Sequence, residues 1–300
     1  MKRIFSAFFV FCIFVVPARA DYLSERATAM ELFNAGKFQE ATDGFLRLGE
    51  GAKNDVQQAD ALTHAALALQ RMDRPDEAMA VVEKIRSVPL ATFCRISLLR
   101  DSSQWEALLK LTKDEDFSAW PEKVIYPAYM ARAQAQAILG HAAEAESDAL
   151  RAEESTISPT QKAMAWSFIA ERARTTNEPP QKALDAYAKI IAINPTSRGI
   201  LQRTLYNRAL LLTDLKQWDQ ARADISQLEN LQKDEPHWNC VTQLALGYLA
   251  EKQGQTAEAL VSYRKAAAIP KAPEGLVNEA RAKIAALEAA PKGETPEVKN

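Results

Sequence analysis

Alanine returns at a fixed interval along this chain, and no other feature of the sequence restricts its fold as much. Ala107, Ala145, Ala183, Ala221 and Ala259 follow one another at 38 residues, and Ala41 and Ala78 extend the series at intervals of 37 and 29. A period of this size marks a repeat array, in which each unit buries its apolar face against its neighbours. Other positions keep step. Twelve residues before the alanine stand Ala29, Ala66, Ala133, Ala209 and Gly247. Four after it stand Phe45, Val82, Tyr187, Ile225 and Tyr263, and seven after it Leu48, Ile85, Ile190 and Leu228. Offsets of four and seven return to one face of an α-helix. Each alanine is therefore expected to be buried on the second helix of an antiparallel pair, with the earlier small residue on the first. Small side chains at both places let the two axes approach closely, while the bulky residue fills the space toward the next pair.

The units Leu246-Gly247, Gln253-Gly254, Ala259, Tyr263, Ala266 and Leu205-Tyr206-Asn207, Ala209, Trp218, Ala221, Ile225 resemble the tetratricopeptide repeat. Gly36-Lys37-Phe38 before Ala41, and Tyr187 with Ile190 and Pro195, fit the same pattern. The resemblance covers roughly residues 22–272. It implies an all-α, right-handed α-solenoid of about seven antiparallel helix pairs, with a period near 38 instead of the usual 34. Two repeats depart from the pattern. In the third, the expected small position is Arg95 and the place seven after Ala107 is Asp114, followed by a polar stretch ending in Trp120-Pro121. The fifth has Glu171 where a small residue belongs, with Ala170 one place off, and a longer turn through Thr175 to Pro180. The expected order is repeats one to three over 22–113, an irregular connection over 114–127 and repeats four to seven over 128–272. An Ala-rich helix over 273–290, with Leu276, Ala280, Ile284 and Leu287 on one face, would cap the last repeat, and 291–300 reads as a disordered polar tail.

Residues 1–20 read as a secretory signal. Lys2-Arg3 precede the apolar run Ile4–Val16, and Ala18-Arg19-Ala20 offers a small-x-small cleavage site. The expectation is export, to the periplasm or beyond, with cleavage following Ala20. Loss of Lys2, Arg3 and Arg19 takes the net charge from −2 to −5. A mildly acidic chain without a basic block argues against a nucleic-acid partner. No later segment is apolar enough to span a bilayer. Cys94 and Cys240, in repeats that are not neighbours, are expected to stay unbonded.

The search for chemistry is negative. His64, His141 and His237 stand apart, without metal-ligand spacing. Gly49-Glu50-Gly51 lacks the spacing of a phosphate loop. Ser262-Tyr263-Arg264-Lys265 matches a Ser-x-x-Lys string, but its companion strings are missing and Tyr263 already serves as a core residue. No catalytic residue, metal or cofactor is expected, and the chain is read as a non-enzyme.

The resemblance implies that the first helices line a concave groove for a peptide. That register selects Gln134, Ser167, Glu171, Arg203, Tyr206, Asn207 and Tyr248, with Met130 beside them. Arg203 and Asn207 are similar to one half of a carboxylate clamp, although Glu171 and Leu244 do not supply the other half. Arg203 and Tyr206 are expected to be exposed. Trp120 is a candidate exposed contact, whereas Trp166 and Trp218 belong to the core. The reading is a protein- or peptide-binding scaffold of the cell envelope. The alternative is a carbohydrate- or cell-wall-binding solenoid, for which only Tyr206 and Tyr248 supply aromatic rings along the groove.

Overall fold

The computed structural model describes residues 22–176, 178–231 and 235–289. The expected export signal and the polar tail lie outside these residues. Among the described residues the chain is all-α, with fifteen α-helices, one short 3-10 turn and no strand. Two compact units meet after Leu111. The first contains α1 (Tyr22–Asn34), α2 (Phe38–Glu50), α3 (Asp55–Arg71), α4 (Pro75–Val82), α5 (Val88–Asp101) and most of α6 (Trp105–Thr112). The second begins with α7 (Glu122–Ile138), α8 (Ala142–Glu154), α9 (Pro159–Thr175) and α10 (Pro180–Ile193). It continues through α11 (Arg198–Asp214), α12 (Trp218–Leu231), α13 (Pro236–Lys252) and α14 (Thr256–Ala267) to α15 (Glu274–Ala289).

Seven helix pairs result, each closed by a tight turn. Six of these turns have three residues, 35–37, 72–74, 102–104, 139–141, 215–217 and 253–255. The middle residue of all six is left-handed. Glycine adopts that conformation without a Cβ clash at Gly36, Gly140 and Gly254, but Asp73, Ser103 and Lys216 adopt it with side chains in place (φ 58°, 56° and 59°). The fifth turn, 176–179, has four residues. That extra residue accounts for the shift seen in the sequence: Ala170 is fully buried and Glu171 is exposed.

The burial register is the fourth residue of every second helix. Ala41, Ala78, Ala145, Ala183, Ala221 and Ala259 all occupy it, each no more than 2 % exposed. The expectation for Ala107 is wrong. It is exposed, and Leu108 is the fourth residue of α6 and fully buried. Shifting the third repeat by one also replaces Arg95, at the place twelve residues earlier, with the buried Ile96. The third pair thus carries two large aliphatics where the others carry small residues. At the other extreme is the seventh pair. A methyl on Gly247 would overlap the Tyr263 ring, so only glycine admits this crossing.

Two pairs contain an internal ion pair that an apolar stripe does not reveal. Arg132 on α7 grips Asp148 on α8 through two hydrogen bonds, Nε–Oδ2 at 2.7 Å and Nη2–Oδ1 at 2.9 Å. Arg208 on α11 grips Asp224 on α12 in the same way, at 2.7 and 2.5 Å. Both arginines directly precede the small residue of their first helix, and both aspartates lie three beyond the alanine of the second. Each carboxylate is almost wholly removed from water, and its planar bidentate partner supplies the hydrogen bonds it gives up.

The segment expected to be irregular over 114–127 is shorter and better packed than its composition suggests. Asp116 caps the 3-10 turn Phe117–Ala119 by accepting from Ser118 N, and α7 already begins at Glu122, running through Pro127. Trp120 is not an exposed contact but buried, edge-on to Phe117 at 4.7 Å. Arg132 Nη1 donates to the carbonyls of Thr112 and Glu115 at 2.8 and 3.0 Å, and its guanidinium lies 4.4 Å from the Phe117 ring centre. One side chain therefore satisfies backbone acceptors that a turn would otherwise leave to water. Trp166 and Trp218 are half-buried against the hydrophobic core. Cys94 and Cys240 are buried, free thiols.

The last helix, α15, packs on α14 and α13. Ala280 is fully buried, with Leu276, Ile284 and Leu287 beside it against Cys240, Leu244 and Tyr263. No helix among the described residues is long and apolar enough to cross a membrane.

Candidate functional site

The first helices of the fifth, sixth and seventh pairs place side chains at spacings of three and four along one edge of the second unit. Two pockets open on that edge. The smaller, about 310 Å³, lies between α9 and α11 over Tyr187 of α10. Met164, Ser167, Phe168 and Glu171 come from α9, and Arg203, Thr204 and Asn207 from α11. The larger, about 480 Å³, is walled by α11, α13 and α15. Tyr206, Asn207 and Asp214 face Leu244 and Tyr248 across it, with Tyr263 beneath and Glu279 and Lys283 on the far side. Asn207 lines both, so the two pockets adjoin along this edge.

Six of the seven residues selected from the sequence meet on this surface. Ser167, Glu171 and Arg203 line the smaller pocket, Tyr206 and Tyr248 the larger, and Asn207 both. Gln134 is exposed on α7 and lines neither. Tyr206 is half-buried and packs against the core cluster of the sixth and seventh pairs, so the expectation that it is freely exposed is corrected. Ser167 donates its hydroxyl to the Ala163 carbonyl at 2.7 Å, leaving a modest polar rim.

Charge in the groove is largely paired. Arg174 Nε donates to Glu171 at 2.8 Å, and this hydrogen bond raises the guanidinium's pKa further. Tyr248 donates to Asp214, whose carboxylate also lies 3.6 Å from Lys252 Nζ. Tyr263 donates to Glu251 at 2.6 Å, and Lys283 reaches the same carboxylate at 3.2 Å. Arg203 and Glu279 have no hydrogen-bond or ion-pair partner among the described residues. Burial, with Glu171 nearby, pushes the Tyr187 phenol up to about 12. Tyr206 is raised by burial and then by the field of Glu279. Tyr263 is raised more strongly, by burial and by its bond to Glu251. These phenols all stay protonated near neutrality and act as donors and ring faces. No group of three or more His, Cys, Asp or Glu is placed to hold a metal among the described residues.

Sequence reasoning missed Phe168 and the half-exposed Met164, which line the smaller pocket, and the whole contribution of α15. The signal for the latter was present. Glu279 and Lys283 are four apart and flank Ala280, so they share the helix edge beside the buried stripe.

Residues 242–272 match the family model described as tetratricopeptide repeat, which spans α14 and most of α13. No curated protein matches the chain. Among solved structures it is similar to a tetratricopeptide repeat protein from Parabacteroides merdae, at 14 % identity over 88 % of this chain and 98 % of that one, with a TM-score of 0.44. It is also similar to the C-terminal part of a TPR repeat-containing protein from Cytophaga hutchinsonii, at 11 % identity over 84 % and 98 %, with a TM-score of 0.50. Residues 242–272 thus carry a tetratricopeptide repeat, and the described residues share the fold of solved tetratricopeptide repeat proteins. The fold is that of a protein-interaction scaffold, a class that is in general not catalytic.

Proposed function

We propose that this chain is an exported scaffold of the cell envelope that holds a segment of a partner protein in the groove formed by α9, α11 and α13, and that it is not an enzyme. The observation that carries the reading is the adjacency of the two pockets, which share Asn207. A surface that is apolar below, aromatic along its sides and polar at the rim suits a peptide, whose backbone needs hydrogen bonds and whose side chains need pockets. The unpaired Arg203 adds a guanidinium able to take a carbonyl or carboxylate of the partner. The export part of the proposal rests on the pattern of residues 1–20 alone.

The test is capture from an envelope fraction by the wild-type chain and by a variant with Arg203→Glu and Asn207→Ala. Arg203 is exposed and Asn207 half-buried, and neither belongs to the core clusters of the second unit described above, so the helix content should be unchanged. Capture should fall at least tenfold, about 1.4 kcal/mol. Partners retained at equal strength by the variant would refute the groove assignment. Export has its own readout: the protein recovered from the envelope should begin at Asp21. Recovery only from the cytoplasm, with residues 1–20 attached, would refute it.

A further inference from the structure

We infer that the larger pocket, walled by α11, α13 and α15, selects a lysine or arginine side chain of the bound segment. This deepens the groove reading and rests on it. The chemistry follows from which charges are already committed. Arg174 is matched by Glu171, Lys283 by Glu251 and Lys252 by Asp214. Glu279 is the carboxylate left over, exposed on the pocket wall. Its field reaches the Tyr206 and Tyr263 phenols inside the pocket. The uncompensated charge at this end of the groove is therefore negative.

The walls suit the same guest. Tyr206 and Tyr248 line the pocket, and the quadrupole of an aromatic ring attracts a cation. The pocket already shows this affinity internally, since the ammonium groups of Lys252 and Lys283 lie 5.2 and 5.6 Å from the centre of the Tyr248 ring. Among the described residues no Lys or Arg stands over the Tyr206 ring. A basic side chain entering between Tyr206 and Glu279 would stack its stem on the ring and pair its head with the carboxylate. A carboxylate entering there would meet Glu279, while the cations lining the pocket, Arg174 and Lys283, are already paired with Glu171 and Glu251. The smaller pocket has the opposite bias, because its uncommitted charge is Arg203. The partner segment thus presents its basic residue toward α15.

This makes α15 more than a cover for the last repeat. Its buried edge closes the core through Ala280, and its neighbouring edge supplies the charge that discriminates between ligands.

The experiment pans a phage-displayed random peptide library on the full chain, in three forms: wild type, Glu279→Lys, and Arg203→Glu with Asn207→Ala. Glu279 is exposed and unpaired, so its replacement should leave the melting temperature unchanged. Wild type should enrich peptides containing Lys or Arg, and these peptides should bind Glu279→Lys at least tenfold more weakly. Absence of basic peptides from the enriched pool, whether other peptides come through or none do, overturns the inference. So does equal binding of basic peptides to Glu279→Lys. If the Arg203 and Asn207 variant loses its peptides while Glu279→Lys keeps them, the groove stands and only the charge selection fails. If neither variant loses them, the groove reading itself fails.

Discussion

The two units of this molecule use one building plan with different regularity. Before Leu111 the buried fourth positions, Ala41, Ala78 and Leu108, stand 37 and 30 residues apart, and α4 and α6 have eight residues each. In the second unit Ala145, Ala183, Ala221 and Ala259 are separated by 38 throughout, and the second helices have 12 to 14 residues. A constant interval repeats one crossing geometry, which brings the same edge of successive first helices into line. The two adjoining pockets sit on such a line, along α9, α11 and α13. The lesson is that equal spacing builds a continuous face, whereas burial alone requires only that each pair finds some way to pack.

The largest effect expected from this comparison concerns Arg132 and Arg208, which share a register but not a workload. Arg132→Ala should cost about 3–5 kcal/mol, because it strands Asp148 in the interior. It also releases the carbonyls of Thr112 and Glu115 and uncovers Phe117. Arg208→Ala should cost less, since its side chain is partly exposed and, among the described residues, it bonds to Asp224 alone. Urea unfolding followed by circular dichroism measures both, and equal losses would remove the connector role given to Arg132. Limited proteolysis adds a spatial readout: cleavage within 113–121 should be slow in the wild type and fast in Arg132→Ala.

The next effect separates large from small at the shared fourth position. Leu108→Ala empties a fully buried site and should cost about 2–5 kcal/mol. Ala221→Leu, at the corresponding position in the regular unit, overfills one and should cost roughly 1–3 kcal/mol. A stable Ala221→Leu protein would mean that alanine is not required by close approach there. The smallest effect has the opposite sign. Lys216 holds a left-handed turn where Gly140 and Gly254 hold the equivalent ones. Lys216→Gly relieves strain of about 1–2 kcal/mol but adds freedom to the unfolded chain, so a net gain of up to about 1 kcal/mol is expected. A lower melting temperature for this variant would count against strain at the turn.

The fold was legible because alanine and glycine are rare answers to a specific demand, close approach of two helices. The reading failed at Ala107 for a local reason. Trp105-Glu106-Ala107-Leu108 offers an alanine one residue before the buried place, and the 38-residue interval drew attention to it. Trp120-Pro121 looked like a loop because proline rarely continues a helix, yet Phe117 and Arg132 supply packing that no local pattern announces. The Arg–Asp pairs escaped for a related reason: charged residues on a helix are ordinarily read as its solvated side. Most of the groove on α9, α11 and α13 was readable, since register alone places Ser167, Glu171, Arg203 and Asn207 on one edge. The wall from α15 is written in the sequence too, in Glu279 and Lys283 beside Ala280, but the apolar stripe that closes the core overshadows the polar edge next to it.

The Arg–Asp pairs also bear on the order of events when this chain folds. Each joins residues only 16 apart in sequence, across a three-residue turn. Short loops cost little entropy to close, so these contacts form before those between successive pairs. The fourth and sixth pairs then act as nuclei, and the fifth, lying between them, completes against two preformed neighbours. The kinetic signature is specific: Asp224→Ala should slow refolding, whereas Ala221→Leu, which disturbs a crossing perfected later, should chiefly hasten unfolding. The reverse assignment of rates would place the start of folding elsewhere in the array.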